Sequence, residues 1–120
     1  MKKRFLVEFG TGVDLHGGNV TKAAQKALRD AISHCCLTGL SEVAGVKDAV
    51  NTLTLEVKIA TPFKERLDVQ EALKSLPPYR NITAEVVDGG MTVRGMHAPG
   101  LGEGDTLTIV NASITVCIND

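Results

Sequence analysis

The sequence predicts an α+β fold: a two-layer sandwich in βαβαββ order, with helices on one face of a mixed four- to five-stranded sheet. Three observations predict it. Apolar residues alternate in several short segments, a stripe at helical spacing runs through residues 19–37, and no repeat, low-complexity tract or long linker divides the 120 residues. A single domain over 1–120 is the expectation.

The elements follow in order. Phe5, Val7 and Phe9 alternate with Leu6, Glu8 and Gly10, a strand expected to stop at the glycines. Val20, Ala24, Ala27, Leu28, Ala31 and Cys35 form a stripe about 100° wide, with Lys22, Gln25, Lys26, Arg29 and Ser33 opposite. That helix should start at Asn19, whose side chain can accept an orphan first-turn N–H, and end at Gly39 in the left-handed C′ position. Residues 41–48 read as a connector. Leu53, Leu55, Val57 and Ile59 then alternate with Thr52, Thr54, Glu56 and Lys58, a half-buried strand. Val69, Ala72, Leu73 and Leu76 mark a short helix, with Asp68 and Glu71 as a capping box and Pro77-Pro78 as the stop. A third strand spans 82–87, and Gly89-Gly90 turns into a short return strand over 91–94. In the last strand, 106–118, Leu107 and Ile109 share one parity while Ala112, Ile114, Val116 and Ile118 share the other. A bulge near Val110-Asn111 is therefore predicted. The uncovered face would carry Thr52, Thr54, Thr108 and Thr115, as a surface against another subunit or as a solvated face.

Composition narrows the partners. Thirteen basic and 14 acidic residues leave a net charge of −1, which removes the long-range attraction that nucleic acid or anionic lipid demands. Three Phe, one Tyr and no Trp leave few platforms for stacking bases. No segment approaches the roughly 20 apolar residues of a membrane span. The basic start Met1–Arg4 is followed by too short an apolar run for a signal peptide. Three cysteines, Cys35, Cys36 and Cys117, are an odd number, and adjacent cysteines bridge poorly. A reducing cytoplasm is the expected compartment. Surface scaling gives roughly 6,000 Å² exposed after folding, about a third of the unfolded value, so no metal or disulfide is required for a core.

The chemistry concentrates in Gly10-Thr11-Gly12-Val13-Asp14-Leu15-His16-Gly17-Gly18-Asn19. It fails the dinucleotide fingerprint at Leu15 and the P-loop pattern at Gly18-Asn19. The helix start at Asn19 still offers N–H groups and a positive dipole end to an anion, with Gly12, Gly17 and Gly18 allowing close approach. Asp14 and His16, one residue apart, leave an extended segment on the same side, and one divalent ion, Zn²⁺ above all, suits that pair. The alternative is that Asp14 caps a turn and His16 bonds a backbone carbonyl.

The motif Gly10-x-Gly12-x-Asp14-x-His16-Gly17 resembles the signature of a family of uncharacterised proteins found in bacteria and, with a long N-terminal extension, in plants. That label carries no established reaction. The first 38 residues are also similar to the N-terminal motif of methylerythritol cyclodiphosphate synthase. This likeness implies the synthase and chorismate mutase-like fold, a trimer with zinc at the subunit interfaces, and Asp14 and His16 as ligands. It does not extend to the synthase's remaining histidine ligand, because Gly17-Gly18-Asn19 runs straight into the helix, nor to its cytidine and phosphate contacts.

A third ligand has to come from elsewhere. His97, in the glycine-rich stretch 95–105, ranks above His34, which lies more than about 20 Å along the helix from Asn19 and pairs more simply with Asp30. Cys35 and Cys36 read as packing residues. Glu8, His97 and Glu103 are the candidate proton-transfer groups, Asp105 a further one, and Arg94 a candidate anion contact. Two readings result. One is a cytoplasmic homo-oligomer, a trimer by resemblance, with a metal-dependent site acting on a small anionic metabolite. The other is a non-catalytic homo-oligomeric module that binds a small anion or serves structurally.

Overall fold

The computed structural model describes residues 2–96, 100 and 104–119. The strands are β1 (Lys2–Asp14), β2 (Leu53–Thr61), β3 (Asn81–Asp88), β4 (Met91–Arg94) and β5 (Thr106–Asn119). They form one five-stranded sheet in the order β1-β5-β2-β3, with β4 also on β5. β5 is antiparallel to β1, β2 and β4, whereas β2 and β3 are parallel. The mixed α+β sandwich is the predicted one.

Helix α1 (Val20–Ser33) buries Ala23, Ala24, Ala27, Leu28 and Ala31 against β1 and β5. Its small residues meet small residues. Gly10 and Gly12 face it, and a Cβ at either would overlap the backbone of Ala27 and Ala31 or of Ala23 and Ala27. The first strand therefore does not stop at Gly10 but runs on to Asp14, with the two glycines admitting the helix at backbone distance.

Helix α1 also ends earlier than predicted. The His34 and Cys35 N–H groups bond back three residues, to Ala31 and Ile32, which tightens and closes the last turn. Gly39 instead lies inside α2 (Thr38–Glu42), where a Cβ would press on the Phe5 ring. The expected connector, 41–48, begins within the end of this helix and leads directly into α3 (Ala49–Thr52). Helix α4 (Val69–Leu73) starts as predicted, Asp68 accepting the Glu71 N–H at 3.1 Å. It docks on the start of α1 through Asp68 N–H to Thr21 Oγ1, 3.0 Å, and Gln25 Nε2 to Glu71 O, 2.9 Å.

The predicted bulge near Val110-Asn111 is absent. Register between β1 and β5 runs unbroken from Asp14–Thr108 to Gly10–Ala112, and the irregularity falls at Phe5, between Arg4 and Leu6. Thr108, Val110, Ala112, Ile114 and Val116 all face the helices and are buried. Leu107 and Ile109 point to the open face, so the change of phase reflects apolar residues outside rather than an inserted one. Thr54 and Thr115 do face the open side, but Thr108 lies on the helix side and Thr52 ends α3. Exposed Val7, Phe9, Met91 and Val93 make the open face more apolar than the threonines suggest.

β4 forms where a return strand is expected but pairs with β5 instead of β3, Met91 opposite Ile109 and Val93 opposite Leu107. Gly90, at φ 66°, makes the crossing possible, since a Cβ there would overlap the Ile109 carbonyl and the Pro62 ring. Among the described residues no helix is long and apolar enough to cross a membrane.

Candidate functional site

The end of the sheet where β1 and β2 finish and β5 begins collects polar groups that the rest of the core lacks. Among the described residues, the buried polar side chains are Asp14, Thr61 and Thr108. Asp14 is opposite Thr108 in the ladder, and Thr61 is the last residue of β2.

Asp14 closes the loop between β1 and α1. Its Oδ2 accepts the Asn19 N–H at 2.8 Å, and Asn19 Oδ1 accepts the Lys22 N–H at 3.0 Å as the helix N-cap. Charge and dipole agree here, a carboxylate lying at the positive end of a 14-residue helix. Lys26 Nζ donates to the Val13 carbonyl at 3.0 Å. Between these anchors, Gly17 and Gly18 adopt φ 89° and 60°, which side-chain-bearing residues rarely tolerate.

The opposite wall is the turn after β2. Thr61 donates to the Pro62 carbonyl at 2.8 Å, and the Arg66 N–H donates to Phe63 O at 2.9 Å, closing a short 3₁₀ turn over Lys64–Arg66. Phe63 stands at φ 51°, the one non-glycine residue at positive φ among those described. Such a conformation costs on the order of 1–3 kcal/mol and persists where its surroundings impose it. It sets the ring beneath Arg66, whose Cζ lies 4.4 Å from the ring centroid. Between the walls lies a pocket of about 280 Å³ lined by Gly17, Gly18, Phe63, Arg66, Thr106 and Thr108. The Thr108 hydroxyl is fully buried and has no hydrogen-bond partner.

The other residues singled out in the sequence are dispersed. His16 is half-buried in the loop next to Asp14. Glu8 lies six residues back along β1, about 20 Å from Asp14 at strand rise. It is near the far end of α1, where burial and, to a smaller extent, the Glu8 charge push the Cys35 thiol up. His34, the C-cap of α1, has Nε2 at 3.3 Å from Asp30 Oδ1. Asp30 in turn accepts the Thr11 N–H at 2.9 Å. Arg94 Nε donates to Asp105 Oδ2 at 2.9 Å, and the Gly95 N–H to the Asp105 carbonyl, so this guanidinium clasps its own loop. His97 and Glu103 lie outside the described residues. Gly12 is spent on helix contact. Asn19 uses both its N–H and its side-chain oxygen within the loop.

Among the described residues no three His, Cys, Asp or Glu side chains converge, at Asp14 and His16 or elsewhere. All three cysteines are free. Cys117 donates to Glu56 at 3.2 Å, and Glu56 bonds Lys2 at 2.9 Å. A larger groove of about 600 Å³ runs over the open face past Phe9, Lys58, Thr83 and Glu85. Its charges are paired, Lys58 with Glu85 at 3.7 Å and Glu56 with Lys2 at 2.9 Å, and among the described residues it has no buried unpartnered polar atom comparable to Thr108.

Phe63, Arg66, Thr106 and Thr108 were not legible as site residues. One signal existed. Thr108 shares the parity of Val110, Ala112, Ile114 and Val116, which marks a hydroxyl on the buried face.

No curated protein matches the chain. A solved structure of a protein from Nostoc punctiforme, described as FtsZ-like and of unknown function, is similar, with a TM-score of 0.87 and 38% identity over 99% of this chain and 98% of that one. Residues 4–116 match a family described as conserved hypothetical protein, and the chain belongs to that family, Lin0512_fam.

Proposed function

We propose that the protein is a homo-oligomeric module that binds a small anionic metabolite at the Gly17–Gly18 loop. The observation that carries this reading is the fully buried, unpartnered Thr108 hydroxyl in the wall of a pocket shared with Arg66 and two left-handed glycines. Buried polar groups are costly and collect where they are used. Binding is better supported than catalysis because Glu8 is remote and Arg94 is held by Asp105. A metal-dependent reaction lacks comparable support: the Asp14 carboxylate already serves Asn19, and no third donor joins it among the described residues.

The oligomer is supported by the open sheet face, where Val7, Phe9, Met91 and Val93 stand exposed, Phe9 at 70%.

Titration of the ¹⁵N-labelled protein with phosphate and with acetate, at constant ionic strength, tests the binding. Saturating shifts at the Gly17, Gly18 and Thr21 amides are expected. Unmoved loop amides up to about 10 mM of either anion, a Kd range weaker than about −3 kcal/mol, would sink the reading.

A further inference from the structure

We infer that Arg66, Thr108 and the Gly17–Gly18 backbone form a subsite for a phosphoryl group, which deepens the anion-binding reading and rests on it. The pocket's polar lining consists of the Arg66 guanidinium, the Thr106 and Thr108 hydroxyls and main-chain groups, with no carboxylate among its lining residues. No Asp or Glu lies within ion-pair distance of Arg66 among the described residues, so its guanidinium is not committed to a carboxylate of its own chain. An uncompensated guanidinium, held in orientation over the Phe63 ring, is an anion receptor waiting for its acceptor.

The Thr108 hydroxyl is the second, independent observation. It is 0% exposed and unpartnered, and it lies 3.7 Å from where a Cβ on Gly18 would stand. A buried hydroxyl left unmade is unfavourable, so one kept in the wall of a pocket points to a ligand acceptor. Gly18 and Thr108 line the same pocket, so the hydroxyl sits in its wall directly behind the glycine.

The arrangement selects among anions. A carboxylate is planar, and its two oxygens can be satisfied by one guanidinium fork. A phosphoryl group projects oxygens in three directions, matching donors from three separate elements: the 3₁₀ turn, β5 and the loop before α1. A volume of about 280 Å³ suits such a head group, because it lies just below the roughly 300–1,000 Å³ of pockets for drug-sized ligands. The remainder of a phosphate ester would then extend past Thr106 toward solvent.

The test uses inorganic phosphate, with acetate as the comparison, on wild type, Thr108→Val and Arg66→Gln, read by amide shifts and ³¹P line broadening. Wild type is expected to bind phosphate at least tenfold more tightly than acetate, and each variant to lose at least tenfold for phosphate. Thr108→Val should also keep or raise the thermal midpoint, since the hydroxyl it removes bonds nothing. If both variants bind phosphate as wild type does while the loop amides still shift, the subsite assignment is wrong and the anion-binding reading survives. If no anion moves the loop in wild type, both fall. A marked drop in the thermal midpoint of Thr108→Val would show that the hydroxyl has a partner within the protein and would overturn the subsite.

Discussion

The Asn19 N–H donates to Asp14 Oδ2 across the loop that joins β1 to α1, at 2.8 Å, with Asp14 only 5% exposed. A charge-assisted bond in a buried setting contributes about 1.5–3 kcal/mol. Asp14→Ala should therefore lower unfolding stability by roughly that amount in urea titrations. Asp14→Asn, which keeps an acceptor but loses the charge, should cost about half as much. Equal stability of all three proteins would contradict the anchoring role.

Gly10 and Gly12 let α1 approach β1 at backbone distance. Alanine at either position should destabilise the fold by about 1–3 kcal/mol or more, because neither strand nor helix can yield locally. Gly45 provides the contrast, with φ 70° and nothing within 4 Å of an added Cβ. Alanine there should cost only backbone strain, about 1–2 kcal/mol. Denaturant midpoints of the three variants decide the ranking.

The Thr11 N–H, with His34 as a smaller contributor, holds the Asp30 carboxyl below its ordinary value. The unfolded chain then takes up this proton more readily than the folded one. The resulting stability is fully present above the usual carboxylate range, near pH 4, and is lost as pH falls through the lowered value. Asp30→Asn should make the acid limb of the stability–pH curve shallower below about pH 4 and leave its shape near neutrality unchanged. An acid limb identical to wild type would show that this carboxyl is not a participant.

Phe9 stands 70% exposed on the open sheet face, near Val7 and across the sheet from Met91 and Val93. Phe9→Glu should shift light-scattering mass toward the monomer while changing its unfolding free energy by no more than about 0.5 kcal/mol, as for a surface substitution. A mass unaffected by the change would remove this face as the contact between copies.

The architecture was legible because β2 alternates strictly and the α1 stripe has one clear period. The glycines misled because a Gly-rich run ordinarily signals a loop. Here Gly10 and Gly12 share one strand parity and oppose the alanine stripe of α1, a complementarity visible only once the two elements are placed together. Leu107 and Ile109 misled for a related reason. Apolar residues were equated with burial, yet these two face outward, while the polar Thr108 between them is the buried one. The equation fails beside the pocket, where Thr108 lines the cavity while Leu107 and Ile109 pair on the outer side with Val93 and Met91 of β4. Arg66 carries no local pattern at all, since its placement depends on the left-handed turn at Phe63.

β5 pairs with β1, β2 and β4, although it follows all three in the chain. During synthesis, β1 has no ladder partner until residues 106–119 have been made; only β2 and β3 can pair early. Contacts such as Gly12 with Val110 span nearly the whole chain, a high-contact-order arrangement that folds slowly. Meanwhile the apolar strands β1 and β2 wait with their edges open. Nascent chains stalled before residue 106 should be the species that calls most heavily on chaperones.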